Sequence, residues 1–286
     1  MMIKESRDIS VFRAAMLLGV SRSGYYKWLE SGKSGKAEVD LVLREEIQRI
    51  AEEYPRYGYR RICRELRRRG HRAGPKKVLG LMRLDGLLCA RKQYRHCTTD
   101  SNHSLKVYGN LAKNMNVSGV NQLWVSDITY IQLSRDFVYL AVVIDVYSRR
   151  CIGWKVSRDI DTRLTVDALH EALKTRAKDD LQGLVHHSDQ GVQYASREYV
   201  QCLEEHGIRV SMSRRGNPYD NAFAESFMKT LKYEEVLLNE YETYRDAVLN
   251  IERFIEEVYN RKRLHSGIGY LSPIEFEKTE KLKIVA

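Results

Sequence analysis

The stretch Trp124-Val125-Ser126-Asp127-Ile128-Thr129-Tyr130 decides how this chain is read. Its aromatic and β-branched residues are those of a strand, yet a carboxylate sits in its middle, where an unpaired charge is costly to bury. Strand-like runs follow at 137–147 and 151–157 across short turns, so the three segments are expected to pair as antiparallel neighbours. Residues 162–178 then carry Val166, Leu169, Leu173 and Ala177 at helical spacing. A strand near 184–188, a helix over 196–206 and a strand over 208–213 come next. A long helix begins beyond Pro218 and another runs from about 243 to 261.

The order βββαβαβα predicts an α/β fold, a mixed sheet with helices on both faces, as in the ribonuclease H-like architecture. In such a sheet the first and fourth strands are neighbours. Asp127 would then meet Asp189, which ends the strand of His186-His187-Ser188-Asp189-Gln190-Gly191, and the next helix would carry Glu225 over them. Three oxygen donors with no His or Cys among them suit Mg²⁺ or Mn²⁺ rather than zinc. Two such ions ~4 Å apart serve in-line phosphoryl displacement. Any one of these acids alone could be a cap, a turn residue or an ion-pair member; the argument rests on all three. Asp145 is the competitor, and it is expected to close the second strand near Arg149. Lys232, seven residues beyond Glu225, returns to the same helix face, with Asn221 and Lys229 one turn to either side of Glu225. A surface ion pair is the plain alternative for Lys232.

Charge separates the upstream part. Of 286 residues, the first 122 hold 25 Lys and Arg against 12 Asp and Glu, whereas the remainder hold 23 against 26. Residues 55–97 alone carry 14 basic and 2 acidic side chains. A solvated charged face would interleave acids, so the near absence of acids leaves self-repulsion that a polyphosphate would relieve. The segment is helical by pattern. Val11, Ala14, Ala15 and Leu18 form a stripe before a Gly19-Val20-Ser21 turn, which suggests a helix-turn-helix over 1–35. After the Ser31-Gly32-Lys33-Ser34-Gly35 linker, a basic helical module spans 36–97. It has a helix over 38–53 with Leu41, Ile47 and Ile50 inward, then helices after Gly58 and at Pro75. Ile62, Leu66, Val78, Leu81 and Met82 would form its core, leaving Arg60, Arg61, Lys76 and Lys77 for DNA. Cys89, His96, Cys97 and His103 match no zinc spacing. Residues 98–120, rich in Ser, Thr and Asn, read as a linker before the catalytic core at 121–286 with its C-terminal helical extension.

The rest of the composition excludes other classes. The longest apolar run, Phe137 to Ile144, has eight residues, short of the ~18 of a membrane span. The N-terminus has no secretory signal, and five cysteines without a C-x-x-C pair fit reduced thiols in the cytoplasm.

Four stretches carry a family resemblance: residues 121–131, Val143-Ile144-Asp145-Val146-Tyr147-Ser148-Arg149, residues 187–194, and Asn217-Pro218-Tyr219-Asp220-Asn221-Ala222-Phe223-Ala224-Glu225-Ser226-Phe227. They resemble the integrase core of bacterial insertion-sequence transposases, with most similarity to the second-frame (OrfB) product of the insertion sequence three family. That family's acidic triad has 35 residues between its last two members, as do Asp189 and Glu225. The ending Tyr259-Asn260-Arg261-Lys262-Arg263-Leu264-His265 also fits, and Ile268-Gly269-Tyr270 departs mildly from the commoner Leu-Gly-Tyr. Tyr57-Gly58-Tyr59-Arg60-Arg61-Ile62 resembles the family's upstream helix-turn-helix module.

The resemblance implies that Asp127, Asp189 and Glu225 are catalytic and bind two Mg²⁺ ions, with Mn²⁺ able to substitute. It places His187 and Asn221 behind them, and Lys229 and Lys232 against DNA. It implies metal-dependent 3′-end cleavage and strand transfer at the terminal inverted repeats of an element, then insertion of a circular intermediate into target DNA. It also implies a homo-oligomer on DNA and, through frameshifting, an upstream-frame OrfA partner or fusion, in a bacterial cytoplasm near the nucleoid. A different nuclease or resolvase on the same fold, and a DNA-binding regulator with an inactive core, are the competing readings.

Overall fold

The computed structural model describes residues 11–17, 19–31, 35–88, 105–214 and 218–285. The chain divides into two units, 1–91 and 92–286. Leu18, Lys33, Cys89, His96, Cys97 and His103 lie outside the described residues.

The first unit is all-α. α1 (Val11–Leu17) and α2 (Arg22–Ser31) flank a turn in which Gly19 has a positive φ of 64° and the Ser21 hydroxyl accepts the Gly24 N–H at 3.0 Å. α3 (Gly35–Glu53), α4 (Tyr59–Arg68) and α5 (Pro75–Leu84) bury Ile47, Ile50, Ile62, Leu66, Val78, Leu81 and Met82. Leu41, expected inward, is instead 56% exposed, and Leu43 is buried in its place. The reason is helical phase: 43, 47 and 50 share one stripe, and 41 lies well off it.

The self-repulsion expected of the basic block is also partly relieved. Arg69 pairs with Glu46 (3.0 Å), Glu53 (2.6 Å) and Glu65 (3.2 Å), and Lys77 pairs with Asp40, whereas Asp85 of the block is taken up by Arg44 of α3. Most of those acids come from α3, outside the 55–97 segment.

The second unit is built on a five-stranded sheet in the order β3-β2-β1-β4-β5. β1 (Leu123–Gln132), β2 (Phe137–Asp145) and β3 (Cys151–Ser157) are antiparallel, whereas β4 (Val185–Ser188) and β5 (Arg209–Met212) run parallel to β1. The expected meeting of first and fourth strands is present. Alternation along β1 sends Leu123, Val125, Ile131 and Leu133 to one face, and Trp124 and Ile128 to the other. α6 (Thr162–Thr175), the short α7 (Val192–Ala195) and α8 (Arg197–Glu205) cover the second face. α6 lies so close to β3 that a Cβ on Gly153 would stand 2.3 Å from the Ala168 carbonyl oxygen.

The first face is covered by two helices that the periodicity read as longer and regular. A 3₁₀ turn (Pro218–Asn221) leads into α9 (Ala222–Leu231), which widens into a π-type turn (Lys232–Val236). Buried Glu235 holds that turn, accepting from Asn239 Nδ2 (2.8 Å) and Tyr241 O–H (3.2 Å). α10 (Tyr244–Arg253) likewise continues as a π-type turn (Phe254–Tyr259).

The chain then returns along the edge strand β3. Asn260 caps that edge: its Oδ1 accepts Cys151 N–H (3.1 Å) and its Nδ2 donates to Cys151 O (2.9 Å), where another strand would otherwise pair. α11 (Pro273–Val285) follows, with Glu277 inserted between Arg150 and Arg176. Residues 105–122 contain no helix or strand, and the Leu111 N–H donates to Ser211 Oγ (2.8 Å).

Candidate functional site

Asp127 stands mid-strand on β1, and the pairing Val125↔His187 carried two residues further sets it beside Asp189, just past the end of β4. Glu225 lies in the first turn of α9, which packs Ala224, Phe227, Met228 and Leu231 against the same face of the sheet. All three carboxylates are half-buried. Asp127 Oδ1 accepts the Ile128 N–H at 2.9 Å, and Asp189 Oδ1 accepts the Gly191 N–H at 2.9 Å.

The electrostatics place these groups in one another's field. Burial pushes the Asp127 carboxyl up to about 7, the adjacent charge of Asp189 and that of Glu225 add to the rise, and Lys232 opposes it. Lys232 is half-buried, its ammonium 4.7 Å from the centroid of the Tyr130 ring; burial lowers its pKa and Asp127 raises it. Glu225 Oε2 is held by the exposed Lys229 at 3.2 Å. In that arrangement no three His, Cys, Asp or Glu side chains among the described residues are gathered to hold a metal ion.

The supporting residues have distinct partners. Buried Asn221 donates from Nδ2 to the Ser126 carbonyl oxygen (2.9 Å), tying the start of the Glu225 helix to the residue before Asp127. His187 Nδ1 lies 2.8 Å from Ser211 Oγ. That hydroxyl also accepts the Leu111 N–H at 2.8 Å, linking β4 and β5 to the segment before β1. Burial lowers the His187 pKa, keeping the ring neutral. Asp145 is wholly buried, accepting from Asn121 N–H (2.7 Å), Ser148 N–H (2.9 Å) and Ser148 O–H (3.2 Å); it closes the β2 turn.

The other predicted DNA contacts belong to the first unit. Lys76 and Arg60 are exposed, the Arg60 guanidinium 5.5 Å over Tyr59, while Arg61 is half-buried 5.5 Å over Tyr57 and Lys77 is paired with Asp40.

Sequence reasoning missed a polar cluster on the opposite side of the strand from Asp127. His186 Nε2 lies 2.7 Å from Ser126 Oγ and 2.9 Å from the Tyr199 hydroxyl, and burial depresses its pKa to about 3. Alternation puts Ser126 on the face opposite Asp127, but nothing local points to Tyr199 on a separate helix.

The raised Asp127 pKa has a pH consequence. Between about 4 and 7 the folded protein holds a proton that the unfolded chain has lost, so metal-free stability should fall as pH rises through that window. Asp127→Asn should remove this decline, melting above the parent protein at pH 8 and close to it only below about pH 4. Equal pH dependence of the two melting curves would contradict the assignment.

Comparison with known proteins agrees with the architecture. Residues 117–218 and 206–273 match integrase core domain families, and residues 38–95 match an HTH-like domain. The chain is 36% identical over 284 residues to the transposase InsF for insertion sequence IS3A of Escherichia coli K12, spanning 96% of each chain. It is 39% identical over 250 residues to the transposase for IS904 of Lactococcus lactis, covering 86% of this chain and 98% of that one. It is 37% identical over 265 residues to an uncharacterized 31 kDa protein of insertion element IS600 of Shigella sonnei, covering 92% and 96%. Among solved structures, a chain of the simian T-cell lymphotropic virus intasome aligns with a TM-score of 0.45 at 16% identity, covering 72% of this chain and 67% of that one. With near-full-length relatives at this identity and both domain types in order, the chain belongs to the insertion-sequence transposase family of its IS3 and IS904 relatives.

Proposed function

We propose that the protein cleaves the 3′ ends of its element and joins them to DNA, with Asp127, Asp189 and Glu225 as the catalytic acids. The observation that carries this reading is that Asp127 stands beside Asp189 with Glu225 on the helix over the same face; burial raises the Asp127 carboxyl and the two neighbouring charges add to the rise, a repulsion that a divalent cation would offset. The donor set fits Mg²⁺ or Mn²⁺: all its atoms are carboxylate oxygens, and cation binding offsets their mutual repulsion. Bound there, two such ions supply activation of the attacking oxygen and stabilisation of the leaving oxygen.

The chain's own residues do the rest. Asn221 keeps the Glu225 helix docked on β1, and for Glu225 to join the two aspartates in holding a cation its carboxylate would give up Lys229. Lys232 holds a phosphate beside the scissile bond. In the first step a water oxygen attacks phosphorus and the 3′ oxygen leaves as a 3′-OH; in the second that 3′-OH attacks another DNA phosphate, giving up its proton and forming a new P–O bond as the attacked strand's P–O3′ bond breaks and its own 3′ oxygen takes up a proton. Incubating the protein with Mn²⁺ and DNA ending in the element's terminal repeats should yield joined strands. Nicks without joining would identify a nuclease on the same fold, and binding without either would identify a regulator.

The basic helices of the first unit supply phosphate contacts to those ends. Neutralising Arg60, Arg61, Lys76 and Lys77 together should weaken binding and flatten its salt dependence by roughly 0.9 in slope per lost contact. Lys76→Gln should cost more than Lys77→Gln, because Lys77 is already paired with Asp40. An unchanged slope in the quadruple variant would mean that this face meets something other than DNA.

A further inference from the structure

The loop after Asp189 brings a second group to the carboxylates. Gly191 donates its N–H to Asp189 Oδ1 at 2.9 Å, and its carbonyl accepts the Tyr194 N–H at 3.0 Å. A Cβ on Gly191 would lie 3.0 Å from Asp189 Oδ1 and 3.7 Å from Cδ2 of the Tyr194 ring, so carboxylate and ring flank one glycine. Tyr194 is only 2% exposed, and its ring meets Tyr199 edge-on with centroids 5.3 Å apart. Its hydroxyl is fully buried and has no hydrogen-bond partner among the described residues. Tyr199 does not serve as that partner; its own hydroxyl lies 2.9 Å from His186 Nε2.

A buried hydroxyl without a partner is a cost that phenylalanine, with the same ring, would not carry. The charges of both Asp127 and Asp189 act on Tyr194, raising its pKa beyond the effect of burial and of Tyr199. We infer that Tyr194 is a positioning residue of the cation site, its O–H donating to the Asp127–Asp189 carboxylate pair when a divalent cation holds both acids ionised. The inference rests on the proposed role of those two aspartates. With the carboxylates turned to the cation, the donor orients them from behind, as outer groups commonly do for metal-ligating side chains.

The test is a Mn²⁺ titration of the full chain without DNA, followed by thermal melting, for the parent protein, Tyr194→Phe and Asp127→Asn. Mn²⁺ should raise the melting temperature of the parent and leave Asp127→Asn unmoved. Tyr194→Phe should melt no lower than the parent without metal, yet need about 10- to 100-fold more Mn²⁺ for the same rise. A Tyr194→Phe titration that overlays the parent, with Asp127→Asn unresponsive, overturns the role of Tyr194 and leaves the cation site standing. An Asp127→Asn protein that responds like the parent overturns the cation site itself. Should Tyr194→Phe not fold, ultraviolet difference spectra decide. Mg²⁺ should red-shift a tyrosine band in the parent and not in Asp127→Asn, and absence of that shift in the parent overturns the inference.

Discussion

Glu225→Gln is expected to abolish cleavage and joining while leaving the protein folded and bound to DNA. The substitution keeps the size and hydrogen-bonding capacity of the side chain and removes the charge needed beside two divalent ions. Loss of several kcal/mol of transition-state stabilisation corresponds to roughly 10²–10⁴-fold in rate. Folding offers no competing explanation. Among the described residues Glu225 pairs with Lys229, whose side chain is 78% exposed, and such pairs stabilise a helix by only ~0.3–0.5 kcal/mol. Rates of 3′-end cleavage and strand transfer, measured beside a DNA-binding isotherm, check this. A Glu225→Gln protein that joins ends at near the parent rate removes the residue from the acidic triad.

Glu277→Ala is expected to produce the largest loss of stability. Glu277 on α11 is 6% exposed and accepts from Arg150 Nη1 at 2.9 Å and from Arg176 Nη1 at 3.1 Å. Arg176 is itself only 3% exposed, and Asp179 at 3.8 Å is a poor substitute. Removing one partner of a buried pair strands the other charge away from water and costs about 3–5 kcal/mol. For a unit of this size that lowers the melting temperature by about 2–4 °C per kcal/mol. Burial raises the Glu277 pKa while Arg176 and Arg150 lower it, and the net direction is down. Its contribution is therefore present above the ordinary carboxylate range and lost as acid protonates it. A denaturant midpoint unchanged by Glu277→Ala would show that α11 is not anchored through this pair.

Local pattern identified the three antiparallel strands, a strand at β4 and most helices, because strand and helix periodicities are properties of short segments, whereas the pairing of β4 with β1 came from the ribonuclease H-like order of elements. It also singled out Asp127, since a carboxylate inside an apolar strand is conspicuous without any fold. Leu41 shows the limit: helical phase depends on which residues the neighbouring helices need, and Leu43, Ile47 and Ile50 set it. The basic block shows it again, for Asp40, Glu46 and Glu53 neutralise it from a helix outside the segment.

Only the tertiary structure decided which groups share the site's electrostatics. Lys232 reaches Tyr130 from a turn that leaves regular α geometry, and Asn221 reaches across 95 residues to the Ser126 carbonyl. The Tyr194 hydroxyl, the Ser126–His186–Tyr199 cluster and the Arg176–Glu277 pair left no local trace. Each consists of polar atoms whose significance lies in burial and in partners distant along the chain. Apolar periodicity is written in sequence because every turn of a helix or strand must repeat it. A polar contact is made once, at a distance fixed by packing, so it becomes readable only when the packing is known.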